Sequence, residues 1–199
     1  MKSNVCKIEN GTKDLAAILK ESEKVAVYNE LTHKETLQLR LLCEEIDGML
    51  PNIIDDFNGE LWIEFEERVC RVNISLYFEE FTAEKKNELV GIARNKKNAA
   101  AVGIVGKIRS AIENAFLDDS IALGFKAAES AYACEHGAPY RIDYSYVWEL
   151  EQYRSTVKKE EKSEAWDELE KSVIASVADD VIVGVKGKRA DIIIVKKFA

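Results

Sequence analysis

The longest amphipathic pattern in the chain predicts a helix from Thr32 to Phe57. Apolar side chains recur there at intervals of three and four residues, the spacing that gives a helix one buried face. Thr32 followed by Glu35 matches a capping box and predicts the start of the helix. Pro51 predicts a kink, or an end just before it, because proline lacks an amide hydrogen. The residues of the buried face are Leu39, Leu42, Ile46, Met49 and Ile53.

A change to alternating apolar and polar residues predicts two antiparallel hairpins. The first hairpin turns at Glu67-Arg68 and the second at Gly187-Lys188. A shorter strand is predicted near the start of the chain, before the turn dipeptide Asn10-Gly11. The predicted strands cover residues 5–8, 61–65, 70–76, 181–185 and 191–197.

Further helical patterns complete one domain, residues 1–199, since no repeat or low-complexity linker divides the chain. In one of these helices, Gly103 and Gly106 interrupt the first turns, which indicates a close backbone contact. Residues 118–162 are the least regular part and are interpreted as an insertion or a cover. These further predicted helices cover residues 12–28, 82–91, 102–117 and 163–178, the last capped by Ser163.

Composition narrows the classes of function that fit. The net charge of −8 argues against nucleic-acid binding and against an anionic membrane surface, because both need basic residues. With no apolar run long enough for a signal peptide or a membrane span, a cytoplasmic location is expected. The four cysteines lack a CxxC pair, so buried thiols are predicted and no metal site is expected.

The aromatic residues of the irregular segment are the candidates for a protein partner. Three alternatives remain open for them, namely core packing, a protein interface that includes a homodimer, and stacking on a ligand. The acidic charge of the chain disfavours nucleic acid as that ligand. The residues concerned are Tyr140, Tyr144, Tyr146, Trp148 and Tyr153.

Glu45 is the most suggestive carboxylate, because it lies at the edge of the apolar stripe of the opening helix. A carboxylate at such a boundary can line the wall of a pocket or can simply belong to the solvated surface.

The order of elements resembles the Bergerat (GHKL-type) ATP-binding fold, as found in anti-sigma-factor serine kinases and histidine-kinase catalytic domains. Three segments carry the resemblance: LQLRLLCEEIDGML is similar to the N-box helix, ELWIEFEERVCRVNISLYF to the following hairpin, and AAVGIVGKIRSAIENAF to a glycine box. The resemblance implies an α/β (α+β) two-layer sandwich with a mixed, mostly antiparallel sheet covered on one face by helices. It also implies ATP and Mg²⁺ as candidate cofactors.

Carried over residue by residue, the resemblance makes Glu45 the candidate catalytic glutamate. Gly103, Gly106 and Lys107 become candidate phosphate ligands, and Asn52 a candidate substitute in the N-box. The family places a Mg²⁺-binding asparagine where this chain has Met49, and a thioether is a poor ligand for a hard cation. The adenine-binding Asp-x-Gly-x-Gly segment is also missing, since LYFEEFT follows the second hairpin strand.

Three hypotheses of function follow from these residues. The first is a degenerate ATPase-like regulatory or protein-interaction protein without phosphotransfer activity. The second is a functional ATP-binding serine kinase of the anti-sigma-factor type, with Glu45 as base. The third is an α/β interaction module with no ligand site, whose contact surface is the segment from Tyr140 to Tyr153. The first is favoured, which leaves the enzyme question open but inclined against catalysis.

Overall fold

The computed structural model describes residues 1–9, 15–53, 57–77, 103–117, 146–158 and 172–199. These residues form an open antiparallel sheet of six strands, in the order β1-β2-β3-β6-β5-β4. The strands are β1 (Cys6–Glu9), β2 (Asn58–Glu66), β3 (Val69–Tyr77), β4 (Tyr146–Glu149), β5 (Asp180–Lys186) and β6 (Arg189–Lys197).

Five helices lie in the described part of the chain, and they pack as a layer on one face of the sheet. We call this face the helix face and the opposite one the open face. The helices are α1 (Leu15–Tyr28), α2 (His33–Ile53), α3 (Gly103–Leu117), α4 (Leu150–Lys158) and α5 (Val173–Val177).

The core lies between the helices and the helix face. Side chains alternate between the two faces of a strand, so directly paired residues of neighbouring strands share a face. One such row crosses the sheet from β2 to β5 and is fully buried, as are the helix residues that cover it. The row consists of Leu61, Ile74, Ile192 and Val183.

The predicted α+β architecture with a largely antiparallel sheet is therefore confirmed. Every strand pair among the described residues is antiparallel, so the mixed sheet that the resemblance implied has no parallel pair in this part of the chain. Both predicted hairpins are present, and the terminal one turns at Gly187 with a φ of 57°.

Helix α2 begins as the capping box predicts. The Thr32 backbone N–H and hydroxyl each donate to the Glu35 carboxylate at 2.8 Å. Arg68, in the turn between β2 and β3, donates to the other oxygen of Glu35 at 2.5 Å and also to the carbonyl of Ala199. The start of α2, the first hairpin turn and the end of β6 are thus tied together.

Two boundaries differ from the prediction. The alternative that α2 ends before Pro51 is wrong, since the helix continues to Ile53. The proline lies in the last turn, where the loss of one amide donor interrupts little of the helix. The continuous helix predicted to Ala178 is also wrong, because Ser172 has extended backbone angles and its hydroxyl accepts from the Ala175 N–H to begin α5.

Strand β4 and helix α4 were not predicted, because both fall inside residues 118–162, the segment interpreted as irregular. The predicted helix over 82–91, the remainder of the segment 118–162, Tyr140 and Tyr144 lie outside the described residues. In the part of the chain that the structure describes, none of the helices is long and apolar enough to cross a membrane.

Candidate functional site

An open cleft of about 480 Å³ separates the second half of α2 from the first turns of α3 and α5. Its volume falls in the range of about 300 to 1,000 Å³ that is typical of small-molecule sites. The lining is mostly apolar with a few polar groups. The lining residues are Glu45, Gly48, Met49, Asn52, Gly103, Ile104, Val105, Ser172, Val173 and Ile174.

One wall of the cleft is a single face of α2, because residues three, four and seven apart on a helix lie on the same side. Met49 is buried and forms the apolar part of this wall. Gly48 and Asn52 are exposed at the rim, and the Asn52 amide nitrogen donates to the Gly48 carbonyl at 3.0 Å. Glu45 is half-buried at the other end of the wall.

The opposite wall consists of the beginnings of α3 and α5. Gly103 opens α3 with a φ of 77°, a conformation that a side chain rarely adopts, and a Cβ at this position would meet no neighbouring atom. Ile104 and Ile174 are buried beneath the opening. Ser172 caps α5 at the same edge of the cleft.

Electrostatically, the described lining of the cleft contains one carboxylate and no basic side chain. Glu45 has no hydrogen bond or ion pair with any described residue, whereas Glu44 beside it pairs with Arg40 at 3.0 Å. Among the lining residues that the structure describes, none is lysine, arginine or histidine. The start of α3 adds the partial positive charge of a helix N-terminus.

Two of the residues named by the resemblance do not face this cleft. Gly106 is buried in α3 and is not part of the lining. Lys107 extends towards α4, where its ammonium lies 5.4 Å from the centre of the Tyr153 ring, a cation–π distance. Of the five residues that the resemblance names, the cleft therefore brings together Glu45, Asn52 and Gly103.

The aromatic residues proposed for a partner surface have mixed positions. Trp148 and Tyr153 are half-buried, pack against the core, and lie 6.0 Å apart between ring centres. Tyr146 belongs to β4 and its backbone pairs with Val185. Trp148 and Tyr153 therefore contribute to core packing.

A cluster of polar side chains on the open face was not predicted from the sequence. The buried Ser75 hydroxyl donates to the Asp191 carboxylate, directly opposite on β6. Arg189 donates to Asp191 at 2.8 Å and to the Ser75 oxygen at 3.1 Å, and its guanidinium lies 5.9 Å from the centre of the Tyr77 ring. A buried aspartate in the apolar strand of RADIIIVKK was the available signal.

Three of the four thiols predicted to be buried are in the core, namely Cys6, Cys43 and Cys70, and Cys134 lies outside the described residues. Burial raises the pKa of the Cys70 thiol to about 12, and it raises the pKa of the Cys43 thiol as well. Neutral thiols of this kind are poor nucleophiles and poor metal ligands. These thiols contribute to core packing, and they add no reactive group to the cleft.

The cleft thus unites three of the five candidate site residues and leaves Gly106 and Lys107 outside. Its chemistry is that of a site with an apolar floor, a carboxylate at one end and an amide at the other. The chain was compared with protein-family models, with curated proteins and with solved structures, and none of the three comparisons gave a match.

Proposed function

We propose that this chain is a regulatory or protein-interaction protein of the Bergerat type that keeps an open cleft but transfers no phosphate. The observation that carries the proposal is the wall of α2, which presents Glu45, Met49 and Asn52 to one cleft. Met49 stands where the family has its Mg²⁺-binding asparagine. Since Mg²⁺ requires oxygen ligands, the thioether of Met49 does not replace that asparagine as a ligand for metal-bound phosphates.

The geometry of Asn52 supports the same conclusion. The side-chain amide donates to the Gly48 carbonyl of its own helix, one turn earlier. It lies seven residues from Glu45, so the two backbone positions are about 10 Å apart along the helix axis. This spacing is longer than the single turn that the resemblance places between the glutamate and the Mg²⁺-binding asparagine.

Calorimetric titration of the full chain with ATP and ADP, with and without Mg²⁺, tests the proposal. We expect dissociation constants weaker than about 1 mM and no dependence on Mg²⁺. Met49→Asn should restore part of the Mg²⁺ dependence if only the cation ligand is missing, and Met49→Leu is the matched control for packing. Micromolar, Mg²⁺-dependent binding by the unaltered chain would refute the proposal.

A functional nucleotide-binding serine kinase remains the second candidate, because the cleft is open and Glu45 faces it. In that function Glu45 would accept the proton of the attacking hydroxyl. Glu45→Gln should then lower ATP turnover by about 100-fold or more, the usual contribution of a general base. Equal background turnover in both proteins would remove this candidate.

A further inference from the structure

The carboxylate of Glu45 differs from three of the four buried carboxylates that the structure describes, Glu149 being the fourth. Each of those three is paired with a basic side chain, which offsets the cost of withdrawing its charge from water. Glu45 is half-buried and has no such partner among the described residues. The paired carboxylates are Glu21 with Lys24, Glu35 with Arg68, and Asp191 with Arg189.

We propose that the cleft binds a small organic ammonium compound with an apolar body, whose cation pairs with Glu45. The inference rests on the proposed function in one respect, that the cleft stays open. A charge-assisted hydrogen bond from an ammonium group would replace the water that Glu45 loses on ligand entry. Glu45 carries the formal charge among the described lining residues, and a cationic ligand complements it.

The remaining lining supplies the rest of the specificity. Met49, Ile104 and Ile174 are buried under the opening and form an apolar floor for a hydrocarbon chain or ring. The thioether of Met49 is unbranched and polarisable, so it adapts to ligands of different shape. Asn52, whose nitrogen already donates to Gly48, presents a carbonyl oxygen that accepts from a second ligand donor about two turns away.

A small molecule fits better than a polyphosphate or a protein segment. A polyphosphate would bring negative charge to Glu45, and the nearby cation Lys107 is directed at Tyr153. The volume of about 480 Å³ matches compounds of small-molecule size, whereas protein interfaces are broader and shallower. The apolar floor accommodates the body of an amine and offers nothing to a chain of phosphates.

Three compounds with the same six-carbon body separate charge from apolar contact, namely hexylamine, hexan-1-ol and hexanoate. Each is titrated into the full chain at pH 7, followed by calorimetry and by chemical-shift changes of the Met49 methyl group. We expect hexylamine to bind in about the millimolar range or tighter, the alcohol about tenfold more weakly, and hexanoate least of all.

Glu45→Gln should weaken hexylamine binding about tenfold while leaving hexan-1-ol unchanged, since only the ionic contact is removed. Glu44→Gln is the matched control, because Glu44 is the neighbouring carboxylate, pairs with Arg40 and does not line the cleft. This control should leave hexylamine binding intact. A circular dichroism melt of each variant establishes that the fold persists.

Equal affinities for hexylamine and hexan-1-ol would overturn the inference. So would tighter binding of hexanoate, an equal loss in the Glu44→Gln protein, or no hexylamine binding at about 10 mM. These results are independent of the nucleotide titration. Failure of the amine with no nucleotide binding leaves the proposed function standing, and micromolar Mg²⁺-dependent ATP binding refutes that function whatever the amine does.

Discussion

The two faces of the sheet bury their residues by different means. On the helix face, Ile74 and Ile192 pair across β3 and β6 and pack under the helices, with almost no exposed surface. On the open face, the neighbouring pair Ser75 and Asp191 is also buried, at 1% and 5% exposure, but it consists of polar side chains. Burial alone therefore does not distinguish the faces.

The two faces differ in the interactions that make the burial of their side chains favourable. Apolar side chains of the helix face gain free energy simply by leaving water. The polar pair of the open face costs free energy on burial unless its hydrogen bonds are satisfied, and Arg189 and Ser75 satisfy the Asp191 carboxylate. Substitutions on the helix face should thus act through lost volume, and those on the open face through lost hydrogen bonds.

Neighbouring isoleucines on β6 offer the sharpest comparison, because Ile192 and Ile193 point to opposite faces. We expect Ile192→Ala to lower the free energy of unfolding by about 2 to 5 kcal/mol, since it leaves a cavity beneath the helices. Ile193→Ala should cost less, about 1 to 2 kcal/mol, because its paired neighbours are Asn73 on one side and Ile182 on the other. Urea denaturation followed by circular dichroism measures both.

The milder pair Ile192→Val and Ile193→Val keeps the comparison measurable if an alanine variant does not fold. It should preserve the same ranking with costs of about 0.5 to 1.5 kcal/mol or less. An Ile193 variant that is as destabilised as its Ile192 counterpart would show that the two faces are equivalent in packing.

Substitutions at Ser75 and Asp191 should have effects on the free energy of unfolding that depend on each other. Asp191→Asn is expected to cost about 1 to 3 kcal/mol, because Arg189 loses its ionic partner and the Ser75 hydroxyl its charged acceptor. Ser75→Ala should cost about 1 kcal/mol, since Asp191 keeps Arg189. The double variant should be less destabilised than the sum of the single variants, as expected of residues in one network.

Glu60→Gln is the matched control on the same face. Glu60 is paired in register with Ser75 but is exposed, so its substitution should change the free energy of unfolding by no more than about 0.5 kcal/mol. Strict additivity of the Ser75 and Asp191 variants would contradict the network.

The hydrophobic pattern was sufficient to predict the helix face. Alternation in β2, β3 and β5, together with the continuous apolar run of β6, predicted the hairpins, since one face of each strand must be apolar when it is covered. The open face was not predictable in this way, because Ser75 and Asn73 occupy positions where a solvent-facing residue would also be polar. Alternation with a period of two shows which residues share a face of the strand. It does not show whether that face is in contact with water.

Short elements and the site were predicted only in part. Strand β4 has four residues, too few for a period to emerge, and Ser172 interrupts an apolar periodicity that continues on both sides of it. Helical spacing identified Glu45 as an edge residue correctly. It could not indicate which glycine faces the cleft, because Gly103 has a positive φ and so lies outside the helical geometry from which such spacing is calculated.

The smallest effect on stability is expected for Glu35, which links the start of α2 to Arg68 in the turn between β2 and β3. Hydrogen bonds from the Thr32 backbone and hydroxyl, with the charge of Arg68 adding to them, hold the pKa of the Glu35 carboxyl below its usual value. A depressed carboxyl pKa stabilises the fold above the unfolded value of 4.5, and this contribution is lost as the pH falls through the folded pKa. Glu35→Gln should therefore lower the urea midpoint at pH 7, with the gap to the unaltered chain closing as the pH falls below 4.5 towards about 3. A gap that is the same at both pH values would show that Glu35 acts through packing and not through its charge.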